Sequence, residues 1–290
     1  MKFILLLALV AIAYSSSPLL VTREYTEYLK KTVDWEVEDY ENNIFKGLTF
    51  EDAQDFLGWK PSKDDNEFPE VEPVSSPSEI DWSGASCDVG PQDQGHCGSC
   101  WAFAATGSLS ARCCMHAKDN GWLSPQELVS CDKGSNGCSG GTLSSPVSYA
   151  QRMGGLVPNA CFPYKAANSP CPNKCTSGGD WKKAHVCKCA SPRSCSGTNG
   201  IVSCLSSGPV TIGFNVCQSF MNYKSGIYKC DCTKYLGGHA VLVMGHKASP
   251  ECSFHVRNSW GKSWGQGGYF DIACTTCALQ GGSVCGSVSN

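Results

Sequence analysis

All 21 cysteines of this 290-residue chain fall between Cys87 and Cys285, and none precedes them. At that density cross-links decide which segments can lie side by side, and they form only in an oxidising compartment. The N-terminus agrees with export. Lys2, an apolar run from Phe3 to Ile12 and small residues at Ala11 and Ala13 read as a secretory signal cleaved after Ala13. The run falls short of the roughly 20 apolar residues that cross a bilayer, and no later uncharged stretch approaches that length, so no membrane span is expected.

The cysteine count is odd. One reagent thiol would leave an even number that can all pair, whereas a redox pair would leave one over. The ambiguity sits in QDQGHCGSCWAF, where Cys97 and Cys100 have the spacing of a redox CxxC pair. They equally suit a structural cysteine beside a lone nucleophile. Parity favours the second reading.

Charge divides the chain. Residues 14–80 hold 6 Lys and Arg against 16 Asp and Glu, and residues 81–290 hold 16 against 10. This predicts an acidic segment that sits on, or is shed from, a basic body, and no nucleic-acid partner is expected. Carboxylates facing basic surface should lose their hold as the pH falls through their depressed pKa values, so acid is expected to loosen the segment.

Val21 to Lys60 reads as helical pieces. Thr49 and Asp52 form a capping-box pattern, Ala53, Phe56 and Leu57 one apolar face, and Gly58 and Pro61 a stop. Pro61 to Ser78, with four prolines among charges and serines, predicts an exposed linker that cannot pack. The expected divisions are residues 1–13 as signal, 14–79 as a removable segment and 80–290 as the body. In the body, Trp101, Ala104, Ala105 and Ser108 recur at helical spacing after Cys100, and Ser124-Pro-Gln-Glu127 starts a second helix. Gly140 to Gly208 reads as loops. Runs from Val210, Ala240 and Tyr269, with Phe254 and Val256 between, read as strands. Helices followed by strands predict an α+β protein of two lobes with a cleft between them.

If Cys100 opens a helix, the positive end of the macrodipole favours its thiolate. A nucleophilic cysteine also needs an imidazole to take and return a proton. His239, in GGHAVLVM, sits at a strand start with backbone room. His96, His116, His185, His246 and His255 are assigned surface or structural roles. Asn258 can orient the imidazole, Trp260 can shield that bond from water, and Gln94 with the Cys100 N–H can donate to an oxyanion.

These segments, with GCSGG, GGHAV and NSWGKSWG, resemble the papain family of cysteine proteases from about Asp81 onward, and FKGLTFEDAQDFLGWK, ARCCMH, CFPY and YKSGIY are similar to its cathepsin B branch. The resemblance implies a helical left lobe and an antiparallel β-barrel-like right lobe. It makes Cys100 the nucleophile, His239 the acid/base, Asn258 the orienter and Gln94 the oxyanion donor, with Gly140, Gly141, Gln280 and Trp260 bordering substrate. It pairs Cys97 with Cys138, Cys87 with Cys114, Cys131 with Cys171 and Cys161 with Cys175. For Cys187, Cys189, Cys230 and Cys232 it offers no counterpart; extra disulfides are expected there rather than a zinc site. The branch's occluding loop carries paired histidines, but CFPYKAANSPCPNKC, from Cys161 to Cys175, has none, so an endopeptidase is implied. No metal or cofactor is needed. The implied setting is a secreted or lysosome-like vesicular monomer, acting on proteins and peptides and inhibited by its own propeptide and by cystatin-like proteins.

Overall fold

The computed structural model describes residues 17–74, 79–117 and 121–289; the signal expected at residues 1–13 lies outside them. The described helices are α1 (Arg23–Thr32), α2 (Cys100–Ala117), α3 (Pro125–Cys131), α4 (Ser145–Met153) and α5 (Gly197–Leu205). The strands are β1 (Glu36–Val37), β2 (Glu79–Asp81), β3 (Lys188–Ser194), β4 (Val210–Cys217), β5 (Tyr223–Ser225) and β6 (Ile227–Tyr228). They continue with β7 (Tyr235–Lys247), β8 (Ser253–Arg257), β9 (Tyr269–Ala273), β10 (Gln280–Gly281) and β11 (Ser283–Ser289). No helix among them is long and apolar enough to cross a membrane.

Helix α2 is buried from Cys100 through Cys113. Those residues are apolar or small on every side, as a helix enclosed by its own protein requires, except Arg112, whose buried guanidinium donates to the Cys204 and Gly208 carbonyls. It packs against α3 and α4 on one side and β4, β7 and β11 on the other. The main sheet runs β10-β4-β7-β8-β9-β6, with β2 added to β7. Every pairing in it is antiparallel except β6 with β9, and the path is open. Two cores result. The sheet core gathers Ile212, Phe214, Val243, Phe254 and Phe270; the helical core gathers Trp101, Leu109, Leu128, Tyr149 and Leu156. This is the expected two-lobe α+β arrangement, and the strands anticipated at Val210, Ala240, Phe254 and Tyr269 lie within β4, β7, β8 and β9.

The stretch from Gly140 to Gly208 is a correction, since it holds α4, β3 and α5 rather than loops alone. These elements are short and rich in Ser, Pro and Gly, so periodicity is weak, and cross-links supply the missing order. Cys113–Cys187, Cys189–Cys285 and Cys195–Cys204 pin β3 to α2 and β11 and close α5 on itself.

The N-terminal segment docks on both lobes. Leu20, Leu29, Phe45, Ala53 and Leu57 join the sheet core, whereas Trp59 joins the helical core. The Thr49–Asp52 box forms, with the Thr49 N–H donating to Asp52 Oδ2 at 2.7 Å, but it opens only the short 3-10 turn Asp52–Asp55. The ion pairs across this seam among the described residues, Lys229–Asp34, Lys224–Glu38, Lys247–Glu79 and His96–Asp55, are mostly exposed. Such pairs are screened and cost side-chain entropy, so the charge division contributes little to docking. Pro61 to Val74 is not the free linker expected from composition. Asp65 is fully buried, and the Val71 N–H and Pro69 carbonyl bond the backbone of Ser194 at the free edge of β3.

Candidate active site

The loop before α2 is built to present one sulfur. Cys97 is bonded to Cys138, and the Gly98 N–H donates to the Cys138 carbonyl at 2.9 Å, which ties the loop to the GCSGG turn. The Trp101 indole donates to the Gly137 carbonyl at 3.2 Å from the other side. Cys97 is therefore an anchor, and Cys100 is the one free cysteine. The other 20 form ten disulfides, among them the four implied by resemblance, Cys97–Cys138, Cys87–Cys114, Cys131–Cys171 and Cys161–Cys175. Cys187, Cys189, Cys230 and Cys232 are spent on Cys113, Cys285, Cys277 and Cys217. No thiolate of the CxC pairs is left for zinc.

Cys100 starts α2 and His239 lies in β7, so the cleft brings together residues 139 positions apart; the Ala240 N–H donates to Cys100 Sγ at 3.4 Å. The imidazole is fully buried, and its Nε2 lies 2.7 Å from Asn258 Oδ1. That oxygen also accepts the Ser259 N–H at 2.8 Å, so Nε2 carries the proton and Nδ1 keeps a lone pair. Nδ1 has no hydrogen-bond partner among the described residues. Trp260 stacks on the ring at a centroid distance of 4.6 Å, placing an apolar face against the His239–Asn258 pair.

Gln94 is also fully buried. Its Oε1 accepts the Ser259 hydroxyl at 2.6 Å, which turns the NH2 group toward the cleft and onto the Cys97 carbonyl at 2.9 Å. Tyr164 donates to the Gln94 carbonyl at 2.8 Å and so accepts from Ser99 Oγ at 2.6 Å. The sequence reading missed Ser259, Tyr164 and Ser99. Their only signal was adjacency to motifs, in NSW, CFPY and CGSC.

A strand already lies in the cleft. The Gly58 N–H donates to Cys100 Sγ at 3.2 Å, and the Gly58 carbonyl accepts the Gly141 N–H at 2.8 Å. Trp59 N–H donates to the Gly238 carbonyl at 3.0 Å and Lys60 N–H to the Gly141 carbonyl at 2.8 Å. The Asp55 and Phe56 carbonyls lie 3.4 and 3.3 Å from Gln94 Nε2, and the Phe56 carbonyl also accepts the Trp260 indole N–H at 3.3 Å. The Trp59 indole presses on Gly213, where even a β-carbon would lie 2.4 Å from the ring. Gln280 pairs with Gly213 across β10 and β4 and is half-buried beside this slot. Gly140 flanks the Gly58 carbonyl, with room for no β-carbon.

Under this cover burial disfavours charge on Cys100 and His239. Burial pushes the Cys100 thiol up to about 11, against the opposing N–H groups of Ala240, Gly58 and Trp101. Burial pushes His239 down to about 4, against the Asn258 bond. Exclusion of water thus opposes the thiolate that the helix end favours.

Residues 76–287 match the family described as papain family cysteine protease. Over 198 residues the chain is 34% identical to "Cathepsin B-like CP3" of Giardia intestinalis, a match spanning 65% of this chain and 66% of that protein, just under two thirds of its length. It is 32% identical over 218 residues to "Cathepsin L" of Sarcophaga peregrina, covering 69% and 60%. Among solved structures, proCathepsin B S9 from Trypanosoma congolense superposes with a TM-score of 0.80 at 22% identity, over 93% of this chain and all of that one.

Proposed function

The chain belongs to the papain family of cysteine proteases, and we propose that it is the zymogen of a cysteine endopeptidase of the cathepsin B-like branch. In this reading residues 1–13 are a signal, 14–79 the propeptide and 80–290 the mature enzyme, secreted or held in acidic vesicles. The observation that carries it is a peptide strand, Gly58 to Lys60, lying across a buried thiol and hydrogen-bonded to both lobes.

In the closed chain burial pushes the Cys100 thiol up to about 11 and His239 down to about 4, which disfavours proton transfer from thiol to imidazole. Departure of the strand readmits water and removes burial, the main cause of both displacements. His239 Nδ1 then takes the thiol proton, with Asn258 holding the opposite ring nitrogen. The thiolate adds to the scissile carbonyl, whose oxyanion accepts from Gln94 and the Cys100 N–H. The imidazolium protonates the leaving amine, giving a thioester on Cys100. Water then adds to that thioester as His239 takes its proton, and collapse expels the thiolate and frees the acid. Gly140 and Gly141 would hold the substrate backbone now replaced by Gly58, and Trp260 and Gln280 would border it. Proteins and peptides are the substrates; the propeptide and cystatin-like proteins are the inhibitors, and the enzyme acts as a monomer.

The test uses internally quenched peptides blocked at both ends, given to the processed protein and to Cys100→Ser. The parent should cut them internally, because the Cys161–Cys175 loop brings no histidine to hold a terminal carboxylate. The variant should fold and cut nothing. Turnover by Cys100→Ser above background would move the nucleophile elsewhere, and cleavage restricted to free C-termini would refute the endopeptidase assignment.

A further inference from the structure

We propose that Asp65 locks the covering segment into the cleft by seating its carboxylate at the start of α4. The proposal rests on the reading of residues 14–79 as an inhibitory segment and names the contact that secures it.

Asp65 is fully buried, yet no Lys, Arg or His among the described residues forms an ion pair with it. N–H groups alone receive its charge. Oδ1 accepts from Leu143 at 2.8 Å and Ser144 at 3.3 Å, the two backbone donors leading into α4. Oδ2 accepts from the Ser62 N–H at 3.0 Å and the Trp59 indole at 3.4 Å. The Asp65 carbonyl accepts from Ser283 Oγ at 3.3 Å. One oxygen thus faces the body and the other faces the segment, so a single side chain joins the two.

The short 3-10 turn Lys63–Asn66 folds the chain back so that Asp65 meets the indole of Trp59. The segment therefore enters as a two-point plug, an indole on Gly213 and a carboxylate on the α4 start. A buried carboxylate held only by oriented dipoles is exacting. Alanine leaves the Leu143 and Ser144 donors unpaired while the plug is in and hydrated once it is out, which shifts the balance toward opening. Asparagine can serve one pair of donors but turns its NH2 group against the other. Glu67, two residues on, is the natural contrast, because it reaches Ser148 Oγ on α4 at 2.8 Å in an exposed bond that water can replace. The same surface would accept any peptide turn that presents an indole hydrogen-bonded to a carboxylate.

The experiment reads the alkylation rate of Cys100 in the unprocessed full chain, where labelling requires the segment to lift. Asp65→Ala and Asp65→Asn should speed labelling by about 10- to 100-fold, as expected when charge-assisted bonds to the body are lost from the closed state. Glu67→Ala should stay within about twofold of the parent. A non-reducing thermal melt checks the fold, and Asp65→Asn carries the test if the alanine variant fails it. Rates for both Asp65 variants within twofold of a slow parent would overturn the assignment, as would an equal rise in Glu67→Ala. A parent labelled as fast as unfolded chain would instead overturn the inhibitory-segment reading beneath it.

Discussion

Gly58→Ala separates the charge state of the cleft from everything in the body, because it alters only the covering strand. A methyl group at Gly58 would lie 1.9 Å from the Gly98 carbonyl oxygen and 2.4 Å from its carbon, where real contacts stay beyond 3.0 Å. The obstacle is backbone, fixed by the Cys97–Cys138 disulfide and the Gly98 to Cys138 hydrogen bond. The strand must therefore retreat by about 1 Å or more, and close-packed backbone has little room to absorb that. Retreat strains or breaks four hydrogen bonds, made by Gly58 to Cys100, Gly141 to Gly58, Trp59 to Gly238 and Lys60 to Gly141. At about 0.5–1.5 kcal/mol each, the closed state loses about 2–6 kcal/mol, and opening rises at least about 30-fold. Water should then reach Cys100 and His239, and their pKa values should move toward each other from about 11 and about 4. The assay is the ultraviolet absorbance of the thiolate against pH in the unprocessed chain, with Cys100→Ser as the blank, followed by initial turnover of a fluorogenic peptide. Thiolate should appear well below the ordinary thiol value of about 8.5, and the unprocessed chain should turn over substrate. A variant whose thiolate appears only near the parent's high value, without turnover, would show that the strand does not keep the pair neutral.

The buried pair His185–Glu127 should make stability depend on pH. Burial opposes the imidazolium, but the Glu127 carboxylate at 2.8 Å and the Trp181 carbonyl at 3.0 Å outweigh it and raise the His185 pKa. The pair's contribution is thus fully present below the unfolded value of about 6.5 and is lost as pH rises through the higher folded value. Urea midpoints from pH 5 to 8.5 should fall in the parent, whereas Glu127→Gln should be flatter and about 3 kcal/mol less stable at pH 5; an unchanged slope would remove His185 as the cause. At the slot beside Gly213, the neutral Gln280 should leave Leu, Val or Phe preferred over Arg at P2. Gln280→Glu should raise relative turnover of P2 Arg by about 2- to 5-fold, and a positional library in which the parent already prefers Arg would refute the placement.

The site was legible because its chemistry is concentrated in motifs. Cys100, His239, Asn258 and Gln94 each stood in a distinctive run, and the structure places the last three against one another or against the cleft strand. What composition could not convey was the second partner of each polar group. Ser259 is an ordinary serine until its hydroxyl is found on Gln94, and Asp65 is one acid among many until its four N–H donors are known. Glu127 shows the same limit. Its N–H donates to Ser124 Oγ, the expected cap, but its carboxylate turns away to accept from the Val157 N–H, Tyr149 and His185 instead of closing the box. The six disulfides without a counterpart in the resemblance were illegible for a combinatorial reason, since pairing follows proximity that only the fold creates.

Those ten cross-links have an uneven reach. Every one joins two points between Cys87 and Cys285, and none touches residues 17–74. The chain therefore has two lifetimes written into its covalent structure. On the proposed zymogen reading, in a compartment full of proteases the staple-free segment should open and be digested at its own rate, while the body, whose unfolded forms are few and whose strands stay tethered when they part, should offer little to cut. Destruction becomes selective without any selective agent: whatever removes the cover spares what lies beneath it.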